Sequence, residues 1–75
     1  MLTIGRARGN VVQIKDDGGV SRRHCTLMRI EGGQVLRDEA STKGTMVDGR
    51  EIDELPLSGG ERITIGETHF TFRIR

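Results

Sequence analysis

An all-β sandwich of antiparallel strands is the fold class this sequence predicts, on three observations. Apolar and polar residues alternate in short runs. Glycine-rich turn signals interrupt those runs at short, regular spacing. No stretch sustains a helical period, because eleven glycines spread over 75 residues keep breaking it.

Each element can be justified in order. Val12 and Ile14 flank Gln13 as the apolar face of a strand. Cys25 and Leu27 start another inward row, which breaks at Met28-Arg29-Ile30 and predicts a bulge or register change there. Glu31-Gly32-Gly33 is spaced as a hairpin connection to the next strand. Asp48-Gly49 is a tight-turn pair whose two central residues need positive φ. Ser58-Gly59-Gly60 and Gly66 mark further reversals on either side of the Ile63/Ile65 alternation. Phe70, Phe72 and Ile74 alternate with His69, Thr71 and Arg73, one apolar face against one wet face. Leu2-Thr3-Ile4-Gly5 echoes Ile63-Thr64-Ile65-Gly66, which reads as two similar strand ends and not as a duplication.

Length bounds the rest. Residues 1–75 read as one domain, a compact one or a fragment of a longer protein. A chain this short buries only about 60% of its unfolded surface, so support from a partner or from a longer polypeptide is expected. With 33% apolar residues and no Trp or Tyr, the core has to be Ile, Leu and Val with Phe70 and Phe72. A net charge of +1 supplies no field for nucleic acid or an anionic membrane. The lone Cys25 cannot close an internal disulfide, and no signal peptide or apolar run of membrane-spanning length is visible, so a cytoplasmic location is expected. Two histidines and one cysteine, unclustered, predict no metal site, and nothing calls for a cofactor.

The chemistry gathers in three segments. Gly5–Asn10 carries Arg6 and Arg8, Asp16–His24 carries Ser21, Arg22 and Arg23, and Ser41–Thr45 carries Lys43 and three hydroxyls. Arginine offers a planar fork of donors that matches phosphate oxygens, hydroxyls add donors, and glycine lets backbone N–H groups approach a ligand. The set fits a single bound phosphate once the turns bring the loops to one end. Arg8, Arg23, Lys43 and His69 are by themselves ordinary exposed residues.

Gly5-Arg6, Ser21-Arg22-Arg23-His24, Ser41-Thr42-Lys43-Gly44-Thr45, Asp48-Gly49 and Gly60 through Ile65-Gly66 follow one another in a fixed order. Together they resemble the forkhead-associated (FHA) domain, from Leu2 to Phe72. The resemblance implies a β-sandwich that holds phosphothreonine peptides in its apical loops. It implies that Arg6 supports the phosphopeptide site, that the Ser21 hydroxyl bonds the phosphate, and that Arg22 is a second phosphate-side contact. Thr42 would face the phosphothreonine, and Lys43 stands where the family has an Asn that touches the peptide main chain. Gly5, His24, Gly44, Thr45, Asp48 and Gly49 would support the site, His24 by bracing a loop through hydrogen bonds to backbone.

The departures carry expectations of their own. Lys43 exchanges an amide for a cation able to reach the phosphate or an acidic ligand residue. Asp48 replaces the Asn of Asn-Gly and, if close to the site, sets a negative charge against the anion. Glu39 follows the strand Asp where the family has an apolar residue, and is expected either to point outward or to face a partner. The family also has one or two strands ahead of the Gly-Arg strand, and their absence would expose a sheet edge for a neighbour to complete.

The function expected is a phosphothreonine-peptide recognition module for phosphorylation-dependent protein–protein interaction in Ser/Thr kinase signalling. The alternative is an FHA-fold assembly domain that binds its partner independently of phosphate. A nucleic-acid barrel lacks the charge and the stacking aromatics. A serine three residues before His24 is not a hydrolase: there is no acidic orienter and no nucleophile elbow.

Overall fold

The computed structural model describes residues 1–74 and places nine strands in two facing sheets. They are β1 (Leu2–Gly5), β2 (Val12–Gln13), β3 (Cys25–Ile30), β4 (Gly33–Asp38), β5 (Thr45–Val47), β6 (Arg50–Ile52), β7 (Glu54–Leu57), β8 (Arg62–Ile65) and β9 (Thr68–Thr71). The larger sheet runs β2-β1-β3-β4-β7 and the smaller β6-β5-β8-β9. Pairing is antiparallel except between β1 and β2, which run parallel. No helix among the described residues is long and apolar enough to cross a membrane.

The core follows the period-2 pattern. Ile4, Cys25, Leu36 and Leu57 from the larger sheet meet Val47, Ile63 and Ile65 from the smaller, and Val20 enters from a loop. Leu2, Val12, Ile14, Leu27, Phe70 and Phe72 are only half-buried against it, so the two phenylalanines edge the core where the sequence expected them to form it. They lie along β9 and its continuation, and β9 is the last strand of its sheet, with cover on one side only.

The turns match their chemistry. Asp48 (φ 50) and Gly49 (φ 83) form the two-residue connection from β5 to β6, with Val47 opposite Arg50. Both central residues have the positive φ that matches the strand twist. Glu31-Gly32 joins β3 to β4, with Ile30 opposite Gly33. The bulge expected at Met28-Arg29-Ile30 is not there: β3 and β4 stay in register from Cys25↔Asp38 to Ile30↔Gly33. The apolar break has another cause. Met28 is half-buried on the face turned from the core, beside its buried partner Val35, and Arg29 and Ile30 have reached the exposed hairpin end. A real bulge sits just ahead of β8, at Gly60-Glu61. Gly60 N donates to Phe72 O (2.7 Å) and Phe72 N donates to Glu61 O (2.8 Å), with Gly60 at φ 88.

Strands β1 and β8, which share the Leu/Ile-Thr-Ile-Gly signature, lie in different sheets. Each ends at the loop end of the sandwich, where the chemistry gathers.

Candidate functional site

β1 and β8 end, and β3, β5 and β9 begin, at one pole of the molecule, so the loops Arg6–Val11, Ile14–His24, Glu39–Gly44 and Gly66-Glu67 are brought together there. Their mutual positions are fixed by a buried polar scaffold. His24 is fully buried, its Nδ1 accepting from Ser21 N (3.0 Å) and its Nε2 2.8 Å from Gly44 O. The backbone N–H can only donate and the carbonyl can only accept, so the proton belongs on Nε2. One ring thus bridges the Ser21 loop and the Ser41–Thr45 loop.

A carboxylate organises each loop. Asp38, at the end of β4, accepts from Ser41 Oγ (2.5 Å), Ser41 N (3.1 Å) and Thr45 Oγ1 (2.7 Å). Ser41 Oγ in turn accepts from Gly44 N (2.9 Å). Burial opposes the charge on Asp38, but the Ser41 and Thr45 hydroxyls and the Ser41 amide outweigh it and hold the carboxyl below the usual carboxylate range. Asp17 accepts from Gly19 N (3.0 Å), Glu67 N (2.7 Å) and Thr68 Oγ1 (2.7 Å). The Thr68 hydroxyl leads in lowering its pKa, against burial and with help from the Gly19, Glu67 and Thr68 amides. Neither aspartate was picked out from sequence. Their partners lie in loops that only the tertiary structure brings close, although Asp17-Gly18-Gly19 carries the local signal of a carboxylate bonding the amide two residues on.

The Arg6–Asn10 loop is tied down by backbone. Arg6 N donates to Ser21 O (3.0 Å) and Ala7 N to Arg22 O (3.1 Å). Asn10 Nδ2 donates to Ala7 O (2.9 Å) and to Arg22 O (2.7 Å). Gly5 is required by this closeness: a Cβ there would sit 2.1 Å from Arg22 O.

What this scaffold presents is a recess of about 120 Å³ lined by Arg6, Gly18, Gly19, Val20, Ser21, Thr42 and Lys43. Arg6 Nε donates to Val20 O (3.1 Å), which fixes the guanidinium and leaves its terminal N–H groups free for a ligand. Ser21 Oγ accepts from Thr42 N (2.9 Å), so its own hydrogen remains to be donated. Lys43 adds a cation, and it also lines an adjoining groove of about 400 Å³ with Asp17, Met46, Thr64, Gly66 and Glu67. One fixed guanidinium, a second cation beside it, one oriented hydroxyl and a glycine-rich wall suit an oxyanion.

Of the residues singled out from sequence, Arg6, Ser21, Thr42 and Lys43 line the recess, and Gly5, His24, Gly44 and Thr45 lie in the scaffold behind it. Three other positions singled out from sequence lie away from the recess. The Arg22 side chain is exposed and does not line the recess; its carbonyl holds the neighbouring loop instead. Asp48 and Gly49 sit in the turn at the other end of β5, where Asp48 Oδ1 accepts from Arg62 N (2.9 Å). The carboxylate of Asp48 therefore pins β8 and is not a charge set against the anion. Glu39 is half-buried, and its amide donates to His24 O (2.9 Å), continuing the scaffold.

Fold and recess together define a β-sandwich whose loop end is built to receive an oxyanion. The chain belongs to the FHA domain family, whose model matches residues 2–66. It is 39% identical over 71 residues to the ABC transporter ATP-binding/permease protein Rv1747 of Mycobacterium tuberculosis, covering 95% of this chain and 8% of that protein. An FHA domain solved in a structural and functional analysis of phosphothreonine-dependent FHA domain interactions superposes with a TM-score of 0.92 at 31% identity, over 99% of this chain and 76% of that one. Mycobacterium tuberculosis EmbR, in complex with a low affinity phosphopeptide, superposes with a TM-score of 0.91 at 32% identity, over 96% of this chain and 19% of that one.

Proposed function

We propose that this chain is a phosphothreonine-peptide recognition module that mediates phosphorylation-dependent protein–protein interaction in Ser/Thr kinase signalling, and that it binds without catalysing a reaction. The observation that carries the reading is the pairing of Ser21 Oγ with Thr42 N, beside an Arg6 already committed to Val20 O. Both groups keep donors in reserve for an incoming phosphate. The family likeness over residues 2–66, and the phosphopeptide bound by the EmbR relative, support the same reading.

In this reading Arg6, Ser21 and Lys43 contact the phosphate and Thr42 faces the phosphothreonine. His24, Gly5, Gly44 and Thr45 keep their loops in place. The peptide flank extends along the groove that Lys43 shares with Met46, Thr64 and Glu67. Threonine is preferred over serine where its methyl is buried, a group worth about 0.8 kcal/mol.

Matched phosphothreonine, phosphoserine and unphosphorylated peptides, titrated against the labelled chain by NMR, test this. The expected result is phosphate-dependent shifts at Arg6, Ser21 and Thr42, with the phosphothreonine peptide tightest. Equal affinity for the unphosphorylated peptide would overturn it.

A further inference from the structure

The chain has two lysines, Lys15 and Lys43, and both are exposed. Lys15 lines neither the recess nor the groove beside it, whereas Lys43 lines both. The Lys43 stem leaves its own loop and crosses to the Gly18-Gly19 wall: its Cδ lies 3.6 Å from where a Cβ on Gly19 would stand. A lysine stem can rest on a surface in this way while its head stays in water. Gly18 and Gly19 belong to the recess and to the groove alike, so the stem runs along the wall that the two share, with the amine at its far end.

No carboxylate ties that amine down. Asp17 and Glu67 line the same groove, yet the one ion pair among the described residues joins Arg37 to Glu54. The Asp17 carboxylate is taken up by the Gly19 and Glu67 amides and the Thr68 hydroxyl. In its neutral form a lysine amine is a nucleophile. In the same recess stand the Arg6 guanidinium and the Ser21 hydroxyl, both with donors to spare for a phosphoryl group. A nucleophile thus stands beside a holder for a leaving group. Acyl phosphates are the compounds that use both, because their carbonyl carbon is joined to phosphorus through one oxygen. The recess, about 120 Å³, takes the phosphoryl end; the groove, about 400 Å³, has room for the acyl end; and Lys43 lies between them.

We propose that Lys43 is an acylation site for small acyl phosphates, directed by the recess. The neutral amine attacks the carbonyl carbon, and the new C–N bond forms as the bond from that carbon to the bridging oxygen breaks. Inorganic phosphate leaves with that oxygen, its charge held by Arg6 and Ser21, and takes up the proton that the amine gives up. The amide formed on Lys43 is uncharged, so the recess loses a cation and binds phosphothreonine peptides less tightly. The proposal rests on the recess receiving a phosphoryl group, as the proposed function does, and needs no peptide.

The test treats the whole chain with acetyl phosphate and follows acetylation of each lysine by peptide mass spectrometry. Lys43 is expected to react at least about tenfold faster than Lys15, a small part of what holding two reactants together can supply. The acetyl ester of N-hydroxysuccinimide, which has no phosphoryl group, should acetylate the two lysines at similar rates. Under acetyl phosphate, Arg6→Ala should bring Lys43 down to the Lys15 rate, and excess inorganic phosphate should protect Lys43. Lys43→Arg keeps a charge there that cannot be acylated, so its affinity for a phosphothreonine peptide should be the same before and after treatment, while the wild type loses affinity. Equal rates at the two lysines would overturn the proposal, as would a Lys43 preference that the phosphate-free ester reproduces or that survives Arg6→Ala. A phosphothreonine peptide titrated against the untreated chain separates the two readings. Binding of that peptide with no Lys43 preference sinks the acylation site alone, and the absence of both sinks the phosphoryl recess they share.

Discussion

Asp17 and Thr68 stand 51 positions apart in the chain, yet the Thr68 hydroxyl donates to the Asp17 carboxylate over 2.7 Å. With the Glu67 amide on the same oxygen and the Gly19 amide on the other, this contact locks the loop that precedes Ser21 onto the β8–β9 turn. It positions the segment whose Gly18 and Gly19 line the recess. The glycine-rich stretch Gly18-Gly19 can line a binding site only because its position is set by a carboxylate next to it.

Acid should loosen this arrangement. The carboxyls of Asp17, Asp38 and Glu61 are all held below their ordinary values: Asp17 by the Thr68 hydroxyl, Asp38 by hydroxyls and an amide that outweigh burial, and Glu61 by the amides of Ser58 and Gly59. A depressed folded-state pKa gives stability that is present above the unfolded value and lost as pH falls through the folded one. Urea midpoints are thus expected to hold near neutrality and to fall steeply below about pH 4. Asp17→Asn and Asp38→Asn should each flatten that fall. A wild-type midpoint independent of pH down to pH 2 would contradict the assignment.

His24 should be among the costliest side chains to replace. His24→Phe keeps the bulk but strands Ser21 N and Gly44 O, for a loss of about 2–4 kcal/mol in chemical denaturation, since unsatisfied buried groups each cost about 1–3 kcal/mol. His24→Gln, able to keep one bond, should lose less. A loss in the phenylalanine variant under about half a kcal/mol would show that those backbone groups find other partners.

At the recess, Ser21→Ala and Arg6→Ala should each weaken phosphothreonine-peptide binding by about 10- to 100-fold, the effect of losing one hydrogen bond to a charged group. Thermal unfolding of Ser21→Ala should change little, since the Thr42 amide left behind is exposed, whereas Arg6→Ala also strands the carbonyl of buried Val20 and should lose some stability. Arg22→Ala should bind nearly as well as wild type, because that side chain does not line the recess. Lys43→Asn should lower affinity and blunt its dependence on salt, since a cation is lost. Calorimetric titration at two salt concentrations measures all four, and Arg22→Ala failing where Arg6→Ala succeeds would reverse the assignment.

Gly5→Ala places a methyl 2.1 Å from Arg22 O and 2.9 Å from Asn10 Nδ2, so the loop has to move. Overpacking of this kind costs about 1–3 kcal/mol. Because the displaced carbonyl neighbours Ser21, the variant should lose peptide affinity as well as stability. Gly9→Ala, which meets nothing within 4 Å, is the control and should lose neither.

Cys25 is fully buried, and burial, with a smaller contribution from the charge of Asp38, pushes its thiol up to about 12. The thiolate is the reactive species. Alkylation at neutral pH should therefore proceed only through opening of the fold, and its rate should rise with urea in step with unfolding. Rapid labelling in native buffer would show that β3 opens locally.

The sequence alone determined a good deal. Alternation placed the inward rows of β8 and β9, Asp48-Gly49 announced a turn with two positive φ values, and the order of short motifs pointed to Arg6, Ser21, Thr42 and Lys43, which now line one recess. These are readable because strand period, turn chemistry and motif spacing are local properties of the chain. Only the tertiary structure decided which side of the pole each residue occupies. It moved Asp48 to the far end of β5 and turned the Arg22 side chain out. It made Asp17 and Asp38 the anchors of the loops and left the phenylalanines half-covered along an open edge. Those outcomes depend on contacts between segments tens of residues apart, and no local pattern records which distant donor a buried carboxylate will meet.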